Sequence, residues 1–300
     1  MGKKKRPTPQ PAEATLRVPG GLVDAHTHLA SCRPADAALR EGFDDAPVAT
    51  RTSMLMDAAA AAGVAAVCTV GDTVAESREV IAAAHADPRV FGAVAIHPTR
   101  ANELDQAAKA ALEEMARDER CVAVGETGLD YYWLQQGDPD VPCASKQEQE
   151  ESLRWHAELA SRVGKTLMIH NREADEDLLA IVGECLSELS EPPTVVLHCF
   201  SSPVEVAQEA LDRGYVLSFS GNVTFKRNEQ LRQALALAPR DQYLIETDAP
   251  YMTPEPFRGS RNLPSYIGHT YLCAAAARGI SVEQVAEETR ATFRRVYGLG

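Results

Sequence analysis

The feature that most narrows the possible folds is a rhythm. Short apolar runs alternate with longer helical patterns along nearly the whole chain, and several runs end on His, Glu or Asp. Strand-like runs lie at Leu22–Ala25, Ala65–Val70, Val90–Ile96, Cys121–Gly125, Thr166–Ile169, Thr194–Leu197, Tyr215–Phe219 and Gln242–Ile245. Helical patterns cover Val74–Ala86, Glu103–Ala116, Lys146–Val163, Ala174–Leu189, Pro203–Arg213 and Asn228–Leu237, and a last helical region follows. Buried parallel strands read as short continuous apolar runs, so a strand–helix repeat of about eight units predicts an α/β fold closed as a TIM (β/α)8 barrel. An open doubly wound sheet is the alternative, but no Gly-rich turn follows the first run to support it.

Composition agrees with one large domain: 300 residues, 45% of them hydrophobic, bury a sizeable core, and no Pro/Gly/Ser-rich linker divides the middle. Residues 1–20 differ, with Lys3-Lys4-Lys5-Arg6 followed by Pro7, Pro9 and Pro11; they are expected to form a disordered basic tail, leaving 21–300 as the barrel domain. No apolar segment follows those charges as a signal peptide requires, and none reaches the roughly 18 residues of a membrane span. The seven cysteines are scattered and include no CxxC pair, which fits a reducing cytoplasm. A net charge of −13 argues against a broad basic groove gripping nucleic acid, although bound cations and a few arginines reverse the sign locally in a narrow site.

In such barrels the functional side chains sit at the carboxyl ends of the strands. His26 and His28 alternate after the first run, so both rings can face the barrel mouth, with Asp24 able to orient one of them. Glu126 follows the fourth run between two glycines, where a carboxylate can bridge two cations. His170, His198 and Asp248 each follow a further run, and Asp248 can act as ligand and proton acceptor. Singly, each reads equally as a satisfied core histidine, a loop cap or an ion-pair partner. Jointly, they occupy matching strand ends.

Several of these residues stand in motifs. Val23-Asp24-Ala25-His26-Thr27-His28-Leu29, Gly125-Glu126-Thr127-Gly128-Leu129-Asp130-Tyr131-Tyr132, His170-Asn171-Arg172-Glu173-Ala174, His198-Cys199-Phe200, Glu246-Thr247-Asp248-Ala249-Pro250-Tyr251 and the stretch Pro254–Pro264 closely resemble the TatD family of metal-dependent deoxyribonucleases, in family order from Gly21 onward. The resemblance implies a metal-dependent hydrolase barrel with two divalent ions (Mg, Mn or Zn). His26, His28 and Asp248 would hold one ion, His170 and His198 a second, and Glu126 would bridge them. It also implies phosphodiester hydrolysis on DNA, trimming single strands or ends from the 3′ side, with no obligate protein partner and no membrane.

Arg172, Lys226, Arg258 and Arg261 are candidates to neutralise phosphate oxygens, and Tyr131, with Tyr132 and Trp133, to stack bases. Three positions depart from the family pattern: Thr99 replaces a second histidine, Ser202 a glycine and Ala30 an aspartate. Gln135–Ser145 and Pro34–Pro47 read as longer rim loops. Related amidohydrolase barrels that cleave other esters or amides, such as a tRNA-linked substrate, are the alternative. Many of those bridge their metals with a carbamylated lysine, where this chain has Glu126.

Overall fold

The computed structural model describes residues 16–137 and 143–300. Eight strands, β1 (Leu22–Thr27), β2 (Val64–Gly71), β3 (Val90–Val94), β4 (Cys121–Asp130), β5 (Thr166–Arg172), β6 (Val195–Leu197), β7 (Val216–Phe219) and β8 (Tyr243–Ile245), pair in parallel in chain order. Around them run α1 (Val48–Ala61), α2 (Val74–Ala86), α3 (Gln106–Ala116), the short α4 (Tyr131–Gln136), α5 (Lys146–Val163), α6 (Asp175–Glu188), α7 (Val204–Asp212), α8 (Glu229–Leu237), α9 (Ile267–Arg278) and α10 (Val282–Val296). This is the TIM (β/α)8 barrel that the sequence rhythm predicts.

The barrel closes between β1 and β8 through a small parallel bridge, Thr27 to Ala249. Asp248 N donates to His26 O at 2.9 Å and His28 N to Ala249 O at 2.7 Å, so the seam is stitched by candidate ligand residues themselves. The buried Asp24 carboxylate reinforces it, accepting from Thr247 N at 2.8 Å and Thr247 Oγ1 at 2.6 Å.

Two apolar clusters account for the core. The larger fills the space between the outer strand faces and the helices. The smaller lies inside the barrel, where Val23, Cys68, Ala93, Met168, Val196, Val216 and Leu244 meet Phe293 and Val296 of α10 and Tyr297 just after it. Tyr297 donates to Ala25 O and Tyr271 to Val23 O, and Thr166, which begins β5, donates to Val296 O. The amino end of the barrel is thereby plugged by the last helix, and the opposite end is left for chemistry.

Three boundaries differ from the sequence reading. β4 does not stop at Gly125 but runs to Asp130, and β5 runs on to Arg172, so Glu126 and His170 stand within strands. The apolar run ends early because the later residues alternate: Glu126 and Asp130 turn to the histidines of the mouth, while Thr127 and Leu129 pack toward the helices. A bulge also intervenes: Val124 pairs with Leu167 and Thr127 with Ile169, so Gly125 and Glu126 together oppose Met168. A β-carbon on Gly125 would lie 2.5 Å from Met168, and one on Gly128, at φ +144°, would lie 2.0 Å from His170 O.

The second difference is α1, absent from the sequence reading. Its buried Thr52, Leu55, Met56 and Ala59 keep helical spacing, but the threonine and the alanines blur the contrast that periodicity needs. Third, the last helical region splits into α9 and α10 at Gly279, which takes φ +67°. Of the expected tail, 1–15, including Lys3–Arg6, lie outside the described residues. Leu16 to Gly20 lie against the barrel, with Leu16 N donating to Ala62 O at 3.3 Å. The expected rim loop Gln135–Ser145 is interrupted at 138–142, which are likewise outside the described residues. All seven cysteines are free, and no helix among the described residues is long and apolar enough to cross a membrane.

Leu153, fully buried on α5, is a fair probe of the outer core. Leu153→Ala is expected to lower the unfolding free energy by about 2–5 kcal/mol in urea denaturation. Gly128→Ala is expected to cost at least about 2 kcal/mol, because it combines a left-handed φ with a backbone collision.

Candidate metal centre

At the carboxyl end, β1, β4, β5, β6 and the segment after β8 aim His26, His28, Glu126, His170, His198 and Asp248 at one another. All are buried except His170, whose side chain keeps 17% of its surface exposed and opens the cluster toward solvent. Glu126 stands at the centre. Its Oε1 meets His170 Nδ1 at 2.6 Å and His198 Nε2 at 2.7 Å, while its Oε2 faces His26 Nε2 at 3.4 Å and His28 Nε2 at 3.6 Å. Asp248 Oδ1 closes the first pair, 3.8 Å from His26 Nε2 and 3.6 Å from His28 Nε2. All six candidate ligands are therefore brought together.

Charge explains the titration behaviour. Burial pushes His28 down, but Asp72, Asp248 and Glu126 outweigh it and lift the ring to about 10. Burial likewise opposes ionisation of Glu126 and Asp248, yet the facing histidines win and hold both below the usual carboxylate range. His170 and His198 rise against their own burial because Asp130, Glu126 and Glu246 favour their charged forms. His26 moves the other way: burial and its neighbour His198, stacked at 3.9 Å between ring centres, keep it low and neutral.

Buried carboxylates must be neutralised, either by protons on the histidines or by a cation. The donor set suits the second. His26 Nε2 and His28 Nε2 face each other at 3.1 Å and share Asp248, so a single cation between them would satisfy lone pairs that otherwise compete. His26 turns its other nitrogen to Met168 Sδ at 3.1 Å, a weak acceptor that leaves Nε2 free to ligate. His198 turns Nδ1 toward Glu246 at 3.4 Å, the carboxylate–histidine pairing that orients metal ligands. The ligand atoms of His26, His28 and Asp248 lie within 4.8 Å of one another, and so do those of Glu126, His170 and His198. Imidazole and carboxylate donors fit zinc, manganese or magnesium.

Four residues at the centre escaped sequence reasoning as site members. Asp72 lies 3.6 Å from His28 Nδ1, His97 Nε2 lies 3.5 Å from Glu126 Oε1, and Asp130 Oδ2 lies 3.1 Å from His170 Nε2. Glu246 sits behind His198, accepting from Cys199 N at 2.7 Å and Ser218 Oγ at 2.5 Å. Asp72 and His97 follow apolar runs just as the named ligands do, so the same signal was available. Thr99, where the family pattern has histidine, meets His97 Nδ1 at 2.8 Å and so fixes that ring. Ser202, in place of glycine, donates to Asp175 at 2.5 Å.

The candidate substrate contacts lie at the end of β5, in α4 and on loops around the same mouth, and none is hydrogen-bonded to the cluster among the described residues. Arg172 stacks on Tyr132 at 3.8 Å and lies 5.7 Å from the Trp133 ring centre. Arg258 covers Phe225 at 4.2 Å, Arg261 donates to Ser31 O at 3.4 Å, and Lys226 is exposed. Among the described residues none of these four cations forms an ion pair. Tyr131 is differently engaged: its hydroxyl donates to Asp177 at 2.8 Å and Lys146 lies 5.1 Å over its ring.

Comparison with known proteins gives a consistent assignment. The family model for TatD-related DNases matches residues 23–298. An uncharacterized metal-dependent hydrolase, TatD, of Mycobacterium tuberculosis is 46% identical over 279 residues, 93% of this chain and 98% of the relative. A Klebsiella pneumoniae protein named 3′-5′ ssDNA/RNA exonuclease TatD is 29% identical over 246 residues, 80% of this chain and 89% of the relative. Among solved structures, the TatD homologue YjjV of Escherichia coli superposes with a TM-score of 0.77 at 23% identity, over 93% of this chain and 98% of that one, which bears on the fold alone.

The position of Glu246 generates a test. Glu246→Gln is expected to weaken divalent-cation affinity by about 10- to 100-fold in titration calorimetry, because His198 loses its orienting carboxylate. Saturating cation is expected to raise the melting temperature of the unaltered protein, and to raise that of the variant less at the same concentration.

Proposed function

This chain belongs to the TatD family of metal-dependent hydrolases, and from that premise we propose that it is a deoxyribonuclease that hydrolyses phosphodiester bonds, trimming single-stranded DNA from the 3′ end with two divalent ions. His26, His28 and Asp248 would hold one ion and His170 and His198 the other. The observation that carries this reading is the divided carboxylate of Glu126, with one oxygen toward each histidine pair. The name of the Klebsiella relative supports the substrate class. A cytoplasmic location goes with this reading, the seven thiols being free.

When bound, divalent ions at such a centre supply Lewis acidity: they make water a stronger acid and offset charge on the phosphoryl oxygens. The protein's own groups would do the rest. Asp248, held ionised by its histidines, is placed to accept the proton from the attacking water. Glu126, ionised for the same reason, keeps the two halves of the site in fixed relation. Arg172, Arg258, Lys226 and Arg261 offer donors to the phosphates of a strand lying across the mouth, the arginines in bidentate fashion. Seam hydrogen bonds from Asp248 N to His26 O and from His28 N to Ala249 O hold proton acceptor and ligands in one rigid frame.

Release of nucleotides from labelled single-stranded DNA by metal-stripped protein, resupplied with magnesium, manganese or zinc, tests the proposal. Activity is expected to return with metal and to fall by at least about 100-fold in Asp248→Asn and in Glu126→Gln. A label placed at the 3′ end should be released before one at the 5′ end. Hydrolysis of RNA or of an aminoacyl-tRNA ester, with DNA left intact under every ion, would move the assignment to the alternative substrate class.

A further inference from the structure

Tyr251 is among the large hydrophobic side chains left exposed, with 55% of its surface open, and its neighbour Met252 keeps 38% open. Yet Tyr251 is not on a loosely held loop. Its N–H donates to Asp248 O at 2.7 Å, and the buried Asn262 amide donates to Tyr251 O at 2.7 Å and to Thr247 O at 2.8 Å. The Met252 carbonyl presses so closely on Gly221 that a β-carbon there would lie 1.9 Å away. A rigid backbone thus presents an aromatic ring to solvent beside the metal centre, edge-on to His28 with ring centres 5.9 Å apart.

We propose that Tyr251 is a specificity-determining residue: its ring is the platform on which the terminal nucleobase of a single strand stacks, setting which phosphate enters the centre. This deepens the nuclease reading above and rests on it. A π surface beside the ligands recognises any base by its face, so it selects for base-bearing chain while tolerating sequence. A second such surface lies on the β4–β5 side of the mouth, where Arg172 is stacked on Tyr132 beside Trp133. The β8 segment carrying Tyr251 also carries the exposed Arg258 and Arg261. Aromatic faces therefore stand on both sides of the mouth, each on a segment that also carries arginine for the phosphates.

The test compares two single-stranded oligonucleotides, one ending in an ordinary 3′ nucleotide and one ending in an abasic tetrahydrofuran residue, with wild type, Tyr251→Phe, Tyr251→Trp and Tyr251→Ala. On the ordinary strand Tyr251→Ala is expected to raise KM roughly 5- to 100-fold with kcat within about twofold, while Phe and Trp keep the wild-type KM. On the abasic strand wild type should be as poor as Tyr251→Ala, and the alanine substitution should add no further loss. Equal losses on both strands, loss in Tyr251→Phe as large as in Tyr251→Ala, or no change in Tyr251→Ala would each overturn the assignment while leaving the nuclease reading intact. Wild-type protein inert on both strands under every metal would overturn the nuclease reading and this assignment together.

Discussion

The site depends on one buried carboxylate, Glu126, shared among five histidines, His26, His28, His97, His170 and His198, that lie in or just after β1, β3, β5 and β6. It is 3% exposed, so bulk solvent does little to stabilise its charge and the neighbouring groups must do so. The bulge in β4 that delivers Glu126 to this position requires Gly125, where a side chain would collide with Met168. Backbone geometry, not only ligand identity, is therefore part of the site.

The rest of the barrel reads as support for that point. Where β1 and β8 meet, the hydrogen bonds that close the sheet are made by His26, His28, Asp248 and Ala249, so barrel closure and ligand placement are one structural event. Asp24 and Asn262 fasten the turn that carries Asp248, and Glu246 stands behind His198. From the other side, the buried Gln149 of α5 accepts from Asp130 N at 2.8 Å. His156, pushed down to about 4 by its burial and so neutral, accepts from Ile96 N at 3.3 Å and holds the strand end that leads to His97. Such locked surroundings are what keep converging ligands from relaxing apart.

Much of this was legible in the sequence. Buried parallel strands write continuous apolar runs, which is why all eight strands were found and why the six converging residues could be named from their place after those runs. What escaped has physical reasons. Beyond Gly125 every other residue of β4 faces a polar mouth, so the continuous apolar signal stops while the strand continues. Helix α1 ends in a run of four alanines, only one of them buried, and buries a threonine, which leaves its buried face hard to distinguish by composition. Asp72, His97 and Glu246 follow apolar runs as the named ligands do and were within reach of the same signal, whereas Asp130 lies five residues past its run, at the end of a strand whose apolar pattern has already stopped. The seam itself was invisible, because it is made of backbone hydrogen bonds.

The central claim is that Glu126 joins two cation positions. Electron paramagnetic resonance of the protein loaded with manganese addresses it directly, since ions about 3.5–4 Å apart, the spacing of two-metal hydrolytic sites, couple magnetically while isolated ions do not. The account requires a coupled spectrum at two manganese ions per chain in the unaltered protein and its replacement by an isolated-ion signal in Glu126→Gln. An isolated-ion spectrum from the fully loaded, unaltered protein would contradict it.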